Sequence, residues 1–290
     1  MLRRRVNGYD MAYIELGEGS PLVCVHGTLG DFRVWSPVLG PLSRRHRVVA
    51  LSLRHFFPQH RDGAGSDFTI AQHVADVIGF IQAIDGRPVD LLGHSRGGHI
   101  AFRVAQQRPD LLRKLVPADP NGHLDATLSP DGTPSDPSGT TRRTYTPIAE
   151  RVSAGDIDGA LMMFSEVGVG PGSWCQIPAT VRQTWRDNAH TLLGQVNEQR
   201  PPFTRKDAES IRVPTLFVSG TETPDNTGRV LRALTAHVPA ARVEMISGAG
   251  HFMFEDAAPG SAAQARAGRP QRSPGDPVRF CAAVMRFLEE

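Results

Sequence analysis

Lysine is nearly missing from this chain: of 32 basic residues only Lys114 and Lys206 are lysines, and the arginines that make up the rest are dispersed. The net charge is only +2. With no basic face and no interleaving of aromatic and basic residues, nucleic acid is excluded as an expected partner. Cysteine is equally sparse. Cys24, Cys175 and Cys281 are odd in number and irregularly spaced, which fits neither a disulfide framework nor a metal ligand set, so no metal is expected. Nowhere do eighteen apolar residues follow one another, and Arg3-Arg4-Arg5 has no apolar run behind it. A membrane span and a secretory signal are therefore not expected, and the default setting is soluble, reducing and cytoplasmic, with no membrane partner.

What the chain does have is core-forming material. With 40% hydrophobic residues in 290, it can bury a full core, and its length suits one large domain carrying an insertion. No repeat is visible. Val6 to Leu16 reads as a hairpin strand pair around Asn7-Gly8. Pro21-Leu22-Val23-Cys24-Val25 follows as a strand buried on both faces, ending in His26-Gly27-Thr28-Leu29-Gly30-Asp31. Beyond it come a helix over Phe32–Leu42, a strand over His46–Leu53, and a loop over 54–67. Thr69 to Gln72 then looks like a capping box opening a helix whose inner face holds Ile70, Val74, Val77, Ile78, Ile81 and Ile84. His73 lies beside that stripe, where a packed or surface role is expected.

The stretch around which this alternation turns is Val89-Asp90-Leu91-Leu92-Gly93-His94-Ser95-Arg96-Gly97-Gly98. An apolar strand runs into Gly-x-Ser-x-Gly and a helix leaves it, which places Ser95 on a sharp turn with its hydroxyl exposed at the sheet edge. The motif alone also fits a glycine-rich turn with an idle serine. The start of the helix aims unpaired N–H groups at any negative charge developing beside Ser95, and the Arg96 N–H is the nearest. The loop after the Pro21–Val25 strand can supply a second donor, and Thr28 is the candidate.

Leu111–Ala118 reads as the next strand, ending in Asp119-Pro120-Asn121-Gly122. From about Asn121 to Ser210 strand runs cease. A polar Pro/Gly/Ser stretch gives way to helical segments, one opening at Thr146-Pro147 and another through Ile157, Leu161 and Phe164, which reads as an inserted helical cap. The sheet resumes at Val213–Gly220, is followed by a helix through Val230, Leu231 and Leu234, and closes with Arg242–Ile246, after which comes Gly248-Ala249-Gly250-His251-Phe252. Residues 257–277 read as a mobile loop, and a helix over Val278–Leu288 ends the chain. The expected architecture is α/β, a doubly wound, mostly parallel sheet. Its core takes residues 1–120 and 211–290, and its helical cap residues 121–210.

Four parts in this order, His26-Gly27, Gly93-His94-Ser95-Arg96-Gly97-Gly98, a cap and Gly250-His251, resemble the α/β-hydrolase superfamily over nearly the whole chain. The resemblance implies that Ser95 is a nucleophile and His251 its general base. It departs from the common pattern at the acid: the usual member has an aspartate three residues beyond the glycine ending the Leu216–Gly220 strand, and here that position is Thr223. Asp119 matches an alternative placement used by lactonase-like and cofactor-free dioxygenase-like branches, with Asp225 and Glu222 flanking the usual place. The expectation is a carboxylesterase- or lactonase-like serine hydrolase, needing no cofactor, acting on a small apolar or aromatic ester, lactone or related acyl substrate. A cofactor-free oxygenase, a perhydrolase or haloperoxidase, and a non-catalytic binder of small ligands are alternatives on the same fold. Met162, Met163, Phe164, Trp174, Trp185, Phe203, Phe252 and Phe254 are candidate pocket residues, most of them expected to serve packing.

Overall fold

The computed structural model describes residues 1–59, 67–84, 87–135, 139–169, 172–255 and 275–290. Its frame is an eight-stranded sheet, β1 (Leu2–Val6), β2 (Tyr9–Leu16), β3 (Ser20–Val25), β4 (His46–Leu51), β5 (Val89–His94), β6 (Leu112–Ala118), β7 (Leu216–Gly220) and β8 (Arg242–Ile246), in the order 1-2-4-3-5-6-7-8. β1 and β2 are antiparallel to their neighbours; every other pairing is parallel. The hairpin begins earlier than the apolar pattern predicts, because β1 is the exposed arginine run itself, and Asn7 and Gly8 both take positive φ (47° and 76°), as its tight turn requires.

The period of two along each central strand divides the interior into two cores. Val23 and Val25 of β3, Val49 and Leu51 of β4 and Leu91 of β5 face one side. There they meet α2 (Ile70–Ile84), α3 (Arg96–Gln107) and α9 (Asp225–Thr235). Leu22 and Cys24, Val48 and Ala50, and Leu92 face the other, against α1 (Ser36–Ser43) and a closing helix over Pro277–Glu289. Both faces are covered, which is why these strands read as unbroken apolar runs.

Between β6 and β7 the chain forms α4 (Gly139–Ser153), α5 (Ile157–Val169), α6 (Ala179–Asn188), α7 (Thr191–Asn197) and α8 (Arg205–Ser210); the closing helix is α10. Pro147 does not open a helix as its position suggests but lies inside α4, and the packing of α4 on α5 and α7 outweighs the one ladder bond a proline forgoes. The predicted helix over Phe32–Leu42 likewise divides into a 3₁₀ turn, Phe32–Trp35, and α1. Residues 256–274, most of the predicted loop over 257–277, lie outside the described residues.

The helical segment has its own small core, in which Ile148, Leu161, Trp174, Trp185 and Leu192 surround Leu29 of the loop after β3. Polar pins fasten the rest of the seam. Asn188 is completely buried; its amide donates to Asp31 Oδ2 (2.7 Å) and to the Thr184 carbonyl (2.9 Å), while its oxygen accepts the Phe57 N–H (2.7 Å). Asp31 is buried, caps the 3₁₀ turn through the Arg33 N–H, and accepts the Arg33 guanidinium, which reaches on to Asp187 at 2.7 Å.

Removing the Asn188 amide takes away the oxygen that accepts the Phe57 N–H and one donor to the Asp31 carboxylate, each loss costing about 1–3 kcal/mol. Asn188→Ala should therefore lower the urea midpoint of unfolding by an amount equivalent to on the order of 3 kcal/mol. A midpoint within error of the parent would show that the seam contributes little.

Candidate active site

Three strand ends meet at one edge of the sheet. β5 delivers Ser95, β6 delivers Asp119, and the turn after β8 delivers His251. Ser95 sits at φ 53°, ψ −115°, a conformation non-glycine residues avoid and one that costs on the order of 1–3 kcal/mol. The neighbourhood holds it there. Its N–H donates to the Ala118 carbonyl (3.0 Å) and its carbonyl accepts the Asn121 N–H (3.1 Å), so the turn is laced to the chain on both sides of Asp119. The glycines explain how the turn closes: a Cβ on Gly97 would sit on the carbonyl oxygen of Val25, and one on Gly98 would lie 2.9 Å from the Cα of Pro120.

Asp119 is also left-handed (φ 43°), its N–H bonded to the Val218 carbonyl at 2.9 Å, and its side chain is wholly buried. Its Oδ2 lies 3.0 Å from His251 Nδ1 and accepts a 2.6 Å hydrogen bond from Thr223 Oγ1; Oδ1 is buried with no hydrogen-bond partner among the described residues. An ionised carboxylate only accepts, so the hydrogen bond between them is donated by Nδ1–H. Thr223, at the position where an aspartate was looked for, thus serves Asp119 as a donor. The two flanking acids stand apart: Asp225 is exposed at the start of α9 and pairs with Arg232 at 3.0 Å, and Glu222 is exposed.

His94 holds the histidine turn from below. Its Nε2–H donates to the His251 carbonyl at 2.9 Å, and the two rings lie 4.6 Å apart. Ser95 itself is only 7% exposed, and no hydrogen bond joins its hydroxyl to His251. Neither the Thr28 N–H nor the Arg96 N–H has a hydrogen-bond partner among the described residues. Their side chains are engaged: Thr28 Oγ1 donates to Gln195 Oε1 at 2.9 Å, and the Arg96 guanidinium forks onto Glu198 at 2.5 and 2.6 Å, both charged side chains fully buried. Burial opposes ionisation of Glu198, but Arg96 and Arg200 outweigh it and pull its pKa down to about 2.

Rings extend from the site into the helical segment. Phe252 lies 5.2 Å from His251 and 6.0 Å from Trp185, which meets Phe164 edge-on at 5.5 Å. Of the other candidate pocket residues, Phe203 packs on Phe102 and Phe254 on Trp35, both deep in the main cores. Sequence reasoning missed Thr223 as a partner of Asp119, His94 as the holder of the His251 carbonyl, and Gln195 and Glu198 altogether. His94 alone carried a local signal, its place inside the glycine-serine motif. Among the described residues no group of His, Cys, Asp or Glu could hold a metal, and no helix is long and apolar enough to cross a membrane.

The sheet order and the elbow define an α/β hydrolase, and the family model described as alpha/beta hydrolase fold matches residues 20–258. The chain belongs to that family. An uncharacterized protein of Mycobacterium tuberculosis, Rv2715, is 24% identical over 99% of this chain and 80% of its own length. Among solved structures, the esterase RhEst1 from Rhodococcus superposes with a TM-score of 0.71 at 20% identity (100% of this chain, 99% of that one). The enol-lactonase from Burkholderia xenovorans superposes with a TM-score of 0.66 at 19% identity (99% and 100%). At such identity these structures speak for the fold alone.

Four buried histidines surround the elbow. Burial pushes His26, which donates to the Gly27 carbonyl and accepts the Leu53 N–H, down to about 4. Burial holds His73, His94 and His99 well below the ordinary histidine value, with the charges of Arg96 and Arg103 adding to it at His73 and His99 respectively. Each is neutral when folded and takes a proton when unfolded at mildly acid pH. Their contribution to stability is therefore complete above about 6.5 and is lost as pH falls toward 4, His26 alone accounting for on the order of 3 kcal/mol. Urea unfolding at pH 7 and pH 4.5 should show this loss; equal stability at the two would refute the neutral assignment.

Proposed function

We propose that the protein is a serine hydrolase of the carboxylesterase or lactonase type, with Ser95 as nucleophile, His251 as general base and Asp119 as the acid that orients it. The helical segment 121–210 acts as the cap over the site. The observation that carries this reading is the Asp119–His251 hydrogen bond, its carboxylate fully buried, at the strand-end edge that also holds the strained Ser95 turn.

In this reading Ser95 Oγ attacks the acyl carbon while His251 Nε2 takes its proton. The carbonyl oxygen becomes an oxyanion that accepts hydrogen bonds from the Thr28 and Arg96 N–H groups, which no other acceptor among the described residues occupies. Asp119 stays ionised and stabilises the imidazolium through Nδ1. Collapse breaks the bond to the leaving oxygen, which receives the proton from His251; water then repeats the sequence on the acyl-enzyme and frees Ser95. The missing Ser95–His251 hydrogen bond is compatible with this chemistry, because catalytic hydrogen bonds commonly tighten only once substrate is seated. The apolar and aromatic lining beside His251, Phe252 with Trp185 and Phe164, suits a small apolar or aromatic acyl group.

A fluorophosphonate should label the protein at Ser95, and a panel of aryl esters and lactones should reveal turnover that Ser95→Ala lowers by a factor on the order of a thousand or more. Labelling that persists in Ser95→Ala overturns the nucleophile. Substrate-dependent oxygen uptake without hydrolysis would make the protein an oxygenase, and binding without turnover would make it a carrier.

Asp119→Asn should cost on the order of ten-thousandfold in turnover through loss of the correct tautomer, with the fold intact. Asp225→Asn and Glu222→Gln should stay near the parent rate. The reverse pattern would move the acid to the loop after β7.

A further inference from the structure

We infer that the cap stretch Gln195–Glu198 is a positioning element for the oxyanion hole, so that seating the cap and assembling the hole are one event. The inference rests on the serine-hydrolase reading above. The two backbone donors of that reading come from distant loops, yet the side chain of each is tied to this one short stretch. Thr28 Oγ1 bonds Gln195 Oε1 at 2.9 Å, and Arg96 binds Glu198 through both ends of its guanidinium at 2.5 and 2.6 Å.

The Arg96 anchor is over-determined. Its Nη2 also donates to His73 Nδ1 at 3.0 Å, its guanidinium lies 4.7 Å over the Phe68 ring, and Arg200 Nε donates to Glu198 Oε2 as well, at 2.8 Å. A surface ion pair of this kind would constrain little. Here both side chains are fully buried, and a planar fork on a carboxylate fixes direction as well as distance.

The direction of a main-chain N–H is set by the backbone around it, and here a strained residue adjoins each donor. Ser95, before Arg96, has φ 53°, and Leu29, after Thr28, has φ 60°. Such conformations persist only where the surroundings impose them. Part of the imposition comes from the sheet and part from the cap through Gln195 and Glu198. Catalytic donors work only within a narrow geometry, so a small relaxation at either tether reaches the reacting oxygen.

The test compares Thr28→Val, Gln195→Leu, their double variant and Glu198→Gln with the parent on an aryl ester. Thr28→Val and Gln195→Leu should each lower kcat about tenfold with KM within about twofold, and the double variant should be no worse than either single one, because all three remove the same bond. Inhibition by phenylboronic acid, whose adduct on serine is tetrahedral, should weaken in step with kcat. Affinity for the carboxylic acid product should not change. A tether that merely stabilised the fold would shift the melting temperature without producing this split. Glu198→Gln should show the same split more strongly, roughly hundredfold; if it fails to fold, the Thr28–Gln195 set decides. Folded variants with the parent's kcat and boronate affinity, or losses that add, overturn the inference while a fluorophosphonate-labelled parent leaves the hydrolase reading standing. An unlabelled, inactive parent overturns both.

Discussion

Everything at the candidate site depends on holding one residue where its backbone does not want to be. Ser95 stays at positive φ because its two backbone groups are bonded to the chain on either side of Asp119, and because Gly97 and Gly98 let the carbonyl of Val25 and the ring of Pro120 close in. The strain is local and the restraint is not: three strand ends and a helix start have to be in place at once. The same bonds that bend the Ser95 turn also set the register of β6 against β5, so the serine and the aspartate are placed by one network rather than two.

Around that edge the protein buries an unusual amount of polarity. Asp119, His94, His73, His99, Asp31, Asn188 and the Arg96–Glu198 pair are all inside, and nearly all of their atoms find partners. Buried ion pairs gain little net stability over apolar packing, since desolvation offsets most of the attraction. What they supply is direction. Such groups tie loops together: His94 holds the histidine turn, His26 joins the loop after β3 to Leu53, and Asn188 joins the end of α6 to Phe57. Asp119 Oδ1 and Arg96 Nε, which have no partner among the described residues, mark where this satisfaction is incomplete.

The sheet was legible because period-two and continuous apolar runs are local properties; β3, β5, β7 and β8 lie close to where Val23, Leu91, Phe217 and Val243 suggest. The Gly-x-Ser-x-Gly turn is also local, as its glycines fill a steric need met within the motif. The helical segment was legible in outline only. Pro147 misplaced the start of α4, since its neighbours in α5 and α7 decide that helix and nothing beside it in sequence does. Partners of the site residues were the least legible. Asp119 and Thr223 are 104 residues apart, and Arg96 and Glu198 are 102 apart, so no spacing could connect them. Thr223 was noticed as a missing carboxylate; its hydroxyl as a donor to Asp119 became visible only when β6 and β7 lay side by side.

The Asn188 seam bears on how freely this family could trade its helical parts by recombination. A segment of 121–210 taken from another member would arrive with its own hydrophobic interior, which is self-contained around Trp185 and Leu161. It would not bring the far halves of the pins, because the Asp31 carboxylate, the Arg33 guanidinium and the Phe57 N–H belong to the sheet domain. A graft lacking an amide at position 188 buries a charged carboxylate beneath a surface unable to donate to it, and the mismatch falls a few residues from the loop that carries Thr28. The compatible unit of exchange is therefore larger than the helices: it includes residues 28–33 and 54–57, so crossover points at the ends of β6 and β7 alone cut through a single polar joint.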